Sequence, residues 1–323
     1  MGTGPDADGS LGVCVGPSWG CSVGELAEAA ELAERRGFAR MTTGEYRSDP
    51  FAWLAVLAAR TRDLRLGTTI ASIATRHPMV VAESVAALSD AFGPRFEPGF
   101  GVSHRALNDE LGIIQPDLRD LADYVRCVRS ALAGRAATYG RYRVPATQRD
   151  RTTTGPVPML IAALGVSATE RALGYADGVV LTWTPERQVR AIREAVERSV
   201  DPTRTVRVVL PTFPNDDQTI AARSCGHALH AYLALPAYRR MLVASLGDPD
   251  RVEAAASGPP SSVATTLGTE VLHSVAAIGS AHAITAAVER QLDAGADDVV
   301  LYPLDTGSGW RAALTAVLER PVR

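Results

Sequence analysis

Lysine is missing from the 323 residues, and all 33 basic side chains are arginine. A lysine Schiff base and a P-loop lysine are therefore excluded from any mechanism. Cysteine is scarce. The four present, Cys14, Cys21, Cys127 and Cys225, form no C-x-x-C pair and have no histidine at zinc-finger spacing. Neither a disulfide framework nor a zinc site is expected, and free thiols in a reducing cytoplasm are the default. The six histidines are scattered and no carboxylate cluster has metal spacing, so no metal is expected. No apolar run approaches the roughly 18 residues that cross a bilayer. The first ten residues, MGTGPDADGS, lack the charged-then-apolar pattern of a signal peptide. A net charge of −3, with no block of like charge, gives nucleic acid and anionic membrane little to bind.

What is present is an alternation. Short β-type runs and amphipathic helical patterns follow one another almost from end to end. Strands are expected over 11–16, 39–43, 64–70, 95–101, 157–163, 178–183, 206–213 and 297–303. Between the first two, Ser22 and Glu25 have capping-box spacing and Gly37 stands at the helix end. Pro50 suits the first turn of the second helix. Residues 135–155 break the rhythm as a polar excursion in which YGRYRV could form a small hairpin. Residues 219–270 carry little strand signal and form a helical insertion. Eight strands, each separated from the next by helix, fit parallel crossovers and close naturally into a (β/α)8 barrel. An open doubly wound sheet has the same periodicity; the strand count favours the barrel. The expected organisation is one TIM-barrel domain over 1–323.

Four stretches in register carry a resemblance: GFARMTTGEYRSDPFAWLAVLAARTRDLRLGTTIASIATRHP, LSDAFGPRFEPGFGVSHR, VPMLIAALGVSATERALGYADGVVLTWTP and LDAGADDVVLYPL. Together the chain resembles the luciferase-like monooxygenase superfamily, in its coenzyme F420-dependent oxidoreductase branch. The resemblance implies a barrel that holds a deazaflavin (or, alternatively, FMN) at the C-terminal ends of its strands. It implies that Thr69 and Ile70, in LGTTI, bulge under the cofactor ring through a non-proline cis peptide. On the residues alone the same segment is an ordinary buried strand. In IAALGVSATE the turn Ala162, Ala163, Leu164, Gly165 and Val166 is implied in cofactor binding, where a helix start near Ser167 would present backbone N–H groups to a phosphate. A tight turn with a serine cap explains the same residues. Thr182 and Thr184, either side of Trp183, could reach the phosphate region. Arg187 and Arg190 are candidates for the carboxylates of the cofactor tail.

Catalytic candidates fall where the sequence departs from the family. After the second strand relatives carry an acid followed by histidine; here the place reads Glu45-Tyr46, and tyrosine has a reference pKa of about 10. At the fourth strand a glutamate is replaced by Arg105, leaving His104, of reference pKa about 6.5, as a substitute. Gly101, Val102 and Ser103, just before it, are implied beside the ring, the glycine allowing close approach. Arg76-His77-Pro78 matches a family signature and serves equally well as a helix start. The expected activity is hydride transfer with F420H2, reducing a C=C or C=N bond of a secondary metabolite, such as a dehydroamino acid in a modified peptide. The rivals are an FMNH2- and oxygen-dependent monooxygenase and a barrel that only binds. The expected partners are a small-molecule or peptide substrate and a second copy of the chain, as homodimers are common in the family.

Overall fold

The structure is a computed structural model that describes residues 10–16, 20–147 and 155–319. The strands are β1 (Ser10–Val15), β2 (Arg40–Thr43), β3 (Arg65–Thr68), β4 (Ala71–Ser72), β5 (Phe96–Glu97), β6 (Gly99–Gly101), β7 (Ala137–Tyr139), β8 (Tyr142–Val144), β9 (Leu160–Ala162), β10 (Gly178–Thr182), β11 (Thr205–Pro214), β12 (Ala277–Gly279) and β13 (Asp298–Pro303). The helices are α1 (Val23–Arg35), α2 (Pro50–Arg60), α3 (Pro78–Phe92), α4 (Arg105–Glu110), α5 (Leu118–Leu132), α6 (Val166–Ala172), α7 (Glu186–Glu197), α8 (Gln218–Leu233), α9 (Pro236–Leu246), α10 (Pro249–Ser257), α11 (Val263–Val275), α12 (Ala281–Asp293) and α13 (Trp310–Leu318).

Every pairing between barrel strands is parallel, and the pairings run round a ring. β1 pairs β2 and β13, and β2 pairs β3. The expected third strand is interrupted after Thr68, so β3 pairs β5 while its continuation β4 pairs β6. The ring then runs β6–β9–β10–β11–β13. Counting β3 with β4 and β5 with β6, eight strands close the barrel, as the alternation requires. The strand expected over 157–163 is only Leu160–Ala162, because Asp177 takes the Met159 N–H outside the ladder at 2.8 Å. An additional short strand, β12, pairs with the far end of β11. The hairpin β7–β8 is antiparallel and lies off the barrel; residues 148–154 of the expected excursion fall outside the described residues.

The helix starts follow local chemistry. Ser22 and Glu25 form the capping box of α1, and Asp49 caps α2 with Pro50 in its first turn. His77 caps α3 through its ring nitrogen, which accepts from Met79 N at 3.2 Å. The buried Arg95 guanidinium satisfies carbonyls at the end of α2, donating to Ala58 O at 2.7 Å and Thr61 O at 2.8 Å.

Three apolar clusters result. One lies in and around the barrel strands and the helices packed on them. The second is built from α8 to α11, which stand between β11 and β12, and it takes in Trp183 and Phe213 from strand ends. A small third one joins β1, β9, β10, β11 and β13 through Cys14, Leu160, Val180, Val209 and Val300. The opposite, N-terminal end of the barrel is plugged by charge. Glu97 and Asp298 share Arg40 and Arg207, with Arg40 Nε–Glu97 at 3.2 Å, Arg207 Nη2–Glu97 at 2.8 Å and Arg207 Nε–Asp298 at 2.6 Å. Arg65 reaches Glu97 from the rim at 2.9 Å. Buried charges of this kind persist only when paired.

Candidate active site at the barrel mouth

The C-terminal ends of the strands carry the unusual backbone. The Thr69–Ile70 peptide, between β3 and β4, is cis. Thr69 is fixed by its hydroxyl, which meets Thr42 Oγ1 at 2.8 Å and Cys14 Sγ at 3.3 Å. Ile70 O accepts from Glu45 N at 3.0 Å. Among the described residues, three that are not glycine have positive φ: Arg47 at 56°, Ser103 at 61° and Trp183 at 52°. They follow the second, fourth and sixth barrel strands, so left-handed turns gather on this face; turns of this sort cluster at functional sites.

Beside the bulge there is no room for a side chain at Gly101: a methyl there would lie 2.9 Å from Ile70 Cδ1 and 3.3 Å from Ala162 Cβ, so these two side chains pack directly on its backbone. Ala162 itself is exposed. The turn after it ends at Gly165 (φ 102°), which is the N-cap of α6 and offers no side-chain cap bond. The serine expected to start this helix does something else, since Ser167 Oγ accepts from Arg171 Nη1 at 2.8 Å. Leu164 packs into the second core. Thr184 is buried, donating to Thr182 O at 3.1 Å and lying 3.8 Å from Met241 Sδ of α9. Val102 O holds the loop after β6 by accepting from Asn108 Nδ2 and Gln115 Nε2, both at 3.1 Å. Arg190, a candidate for the cofactor tail, donates to Asp293 O instead.

The three catalytic candidates part company. Glu45 is clamped: its carboxylate accepts from Ser72 N at 3.0 Å and pairs with Arg76 Nη1 at 2.7 Å, while Arg76 Nη2 reaches Asp49 at 3.2 Å. Tyr46 is 45% exposed, with the Arg47 guanidinium 5.3 Å from its ring centre. His104 caps no backbone N–H. Its ring lies edge-on to Tyr232 at 6.2 Å and tilted to Tyr238 at 6.4 Å. A cavity of 550 Å³ is lined by Glu45, Ser72 and Ser103 among others, with Arg47 and Glu110 paired across it. Tyr46 and His104 do not line it.

The family model described as luciferase-like monooxygenase matches residues 7–298. The chain belongs to this family. Among its relatives, the 5,10-methylenetetrahydromethanopterin reductase of Methanolobus tindarius is 26% identical over 65% of this chain and 67% of its own length. An F420-dependent glucose-6-phosphate dehydrogenase of Nakamurella multipartita is 29% identical over 59% of this chain; the chain spans 64% of that relative. The structure of the coenzyme F420-dependent tetrahydromethanopterin reductase from Methanopyrus kandleri superposes with a TM-score of 0.79, covering 97% of this chain and 98% of that one at 17% identity. That likeness shows the shared TIM-barrel fold.

Within this luciferase-like barrel, Arg76, Tyr232 and Trp183 stand at the mouth without having been singled out as site residues. Arg76 was legible as a signature but not as the partner of Glu45. Tyr232 comes from the helical insertion, where nothing in its local pattern distinguishes it from core. One G-x-S-x-G stretch, Gly20 to Gly24, is spent on a cap: Ser22 Oγ accepts from Glu25 N at 3.2 Å. Among the described residues no helix is long and apolar enough to cross a membrane, and no group of His, Cys, Asp or Glu could hold a metal ion.

Proposed function

We propose that this luciferase-like barrel is an oxidoreductase that moves a hydride between coenzyme F420 and a small organic molecule, working with F420H2 to reduce a C=C or C=N bond. The observation that carries the reading is the strand-end shelf where Gly101, with no side chain of its own, packs directly against Ile70 and Ala162. F420-dependent relatives over about two thirds of the chain support the same choice. The shelf fits a ring, and Thr69, Ile70, Gly101, Val102 and Ser103 would border it. Ala162, Ala163, Leu164, Gly165 and Val166, with Thr182 and Thr184, would take the chain that follows the ring.

The deazaflavin supplies the hydride when bound; the protein positions it, excludes competing reactions and manages a proton. Glu45 orients through Ser72 and Arg76. Cys14 is held as a thiol by burial, which raises its pKa and makes it a poor nucleophile. The substrate we assign is a secondary metabolite without a phosphate. Each arginine near the cavity already has a carboxylate, Arg47 with Glu110 and Arg76 with Glu45. The glycine loop after the eighth barrel strand is likewise taken: Gly307 N and Gly309 N both donate to Asp305 Oδ1 at 2.7 Å. We take the protein to work in the cytoplasm as a homodimer.

Titrating the purified protein with F420 and, separately, with FMN tests the reading. Saturable binding of F420, with no comparable binding of FMN, is expected. Binding of reduced FMN with oxygen consumption would establish a monooxygenase instead, and failure to bind either would leave a barrel without this chemistry.

A further inference from the structure

Tyr232 is carried by α8, yet its ring meets residues from strand ends spread round the barrel mouth. Trp183, just after β10, lies 5.3 Å away by ring centres, and His104, after β6, lies 6.2 Å away edge-on. A side chain that meets residues following both the fourth and the sixth barrel strands stands at the mouth.

The surroundings hold it there. Tyr238 packs edge-on at 5.0 Å, and Phe213 backs Trp183 at 6.2 Å. Trp183 and Tyr238 are buried, whereas Tyr232 keeps one part open and His104 is exposed. The accessible surface of this aromatic group is therefore Tyr232 with His104, backed by a rigid wall. Within it the Trp183 indole and the Tyr232 hydroxyl face one another, and that contact works against the rise in the Tyr232 pKa that burial causes. Aromatic faces hold planar heterocycles by stacking whatever the edge pattern of the heterocycle.

We propose that Tyr232 is a ligand-contacting residue that the helical insertion supplies to the barrel mouth, packing against a planar heteroaromatic ligand bound there. The inference rests on the F420 reading for the identity of that ligand. It gives the insertion between β11 and β12 a function: α8 adds an aromatic side chain to those that the loops after β6 and β10 bring to the mouth. The titratable groups around the hydroxyl, among the described residues, are Cys14, Tyr238 and His104.

The test follows binding and not turnover. Oxidised F420 is titrated into wild type, Y232F, Y232L and Y232A, with fluorescence quenching as the readout and thermal unfolding as a check on folding. Y232F is expected to bind within about threefold of wild type, and Y232L and Y232A to bind at least about tenfold more weakly. Y232L preserves apolar bulk, so it keeps the test informative if the alanine variant unfolds. Wild-type affinity in a folded Y232L would overturn the inference while leaving the F420 reading intact. A wild type that is folded and binds no F420 would overturn both.

Discussion

Glu45 and Arg76 form an ion pair of 2.7 Å that ties the loop after β2 to the start of α3. The carboxylate also takes the backbone N–H of Ser72, just past the bulge. Glu45 is thereby a positioning group that fixes the bulge from one side, while Thr42 and Cys14 fix it from the other. Arg76→Met leaves the carboxylate mostly buried and facing one backbone donor. The expected loss of stability is about 1–3 kcal/mol, the range for stripping a buried polar group of a partner. Chemical denaturation checks it, and F420 titration of the folded variant should show weaker binding because Glu45, no longer anchored by Arg76, fixes Ser72 less firmly.

Gly101 makes a separate prediction about the floor. Gly101→Val puts branched methyls where a single one already comes within 2.9 Å of Ile70 and 3.3 Å of Ala162. Its backbone is not left-handed, so the effect is one of space. The variant should fold, with a melting temperature lowered by the overpacking cost of about 1–3 kcal/mol, and should bind F420 weakly or not at all. Unchanged affinity in a folded G101V would remove Gly101 from the shelf.

The barrel was legible because each of its buried strands is a continuous apolar run bounded by helix signals. The bulge segment Thr69–Ile70 was reached through resemblance and not through periodicity, since threonine and isoleucine suit an ordinary strand equally well. The helix cap at Gly165 was misplaced to Ser167 because the serine has the stronger cap preference in sequence, and its hydroxyl goes to Arg171 instead. Least legible were contacts between distant elements. Arg76 with Glu45, Tyr232 with His104 and the charge plug at the barrel base each depend on residues far apart in the chain. The plug did leave a trace: Arg40, Arg65, Glu97, Arg207 and Asp298 are charged residues inside or at the edge of otherwise apolar strands, with opposite signs. Barrel strands brought together in register must pair such charges.

The cavity's charge balance predicts selectivity. Arg47 faces Glu110 across the 550 Å³ space, and both side chains are about half exposed. Such a pair contributes little to folding, so Glu110→Ala should leave the unfolding midpoint nearly unchanged. It should nevertheless free the guanidinium for a ligand. Calorimetric titration with glucose 6-phosphate is expected to give no measurable binding to the wild type and detectable binding to E110A. Tight binding to the wild type would contradict a substrate without phosphate.

Glu97 sets the acid limit of the barrel. Burial alone would raise its pKa, but Arg207, Arg40 and Arg65 around it hold it at about 2, below the ordinary glutamate value. A carboxylate whose folded pKa is depressed binds its proton more readily when unfolded. Its contribution to stability is therefore fully present above the unfolded pKa of about 4.3 and is lost as pH falls from there toward about 2. Glu97→Gln removes that dependence and strands the buried Arg40 and Arg207 with Asp298 as their remaining carboxylate partner. At pH 7 the variant should be less stable by about 3–5 kcal/mol, the cost of breaking a buried ion pair from one side. Denaturant unfolding of both proteins across pH 3 to 7 should show the wild type losing its advantage as the medium is acidified, with the two curves converging at the acid end. Parallel curves would mean that the Glu97 pKa is not depressed in the folded barrel.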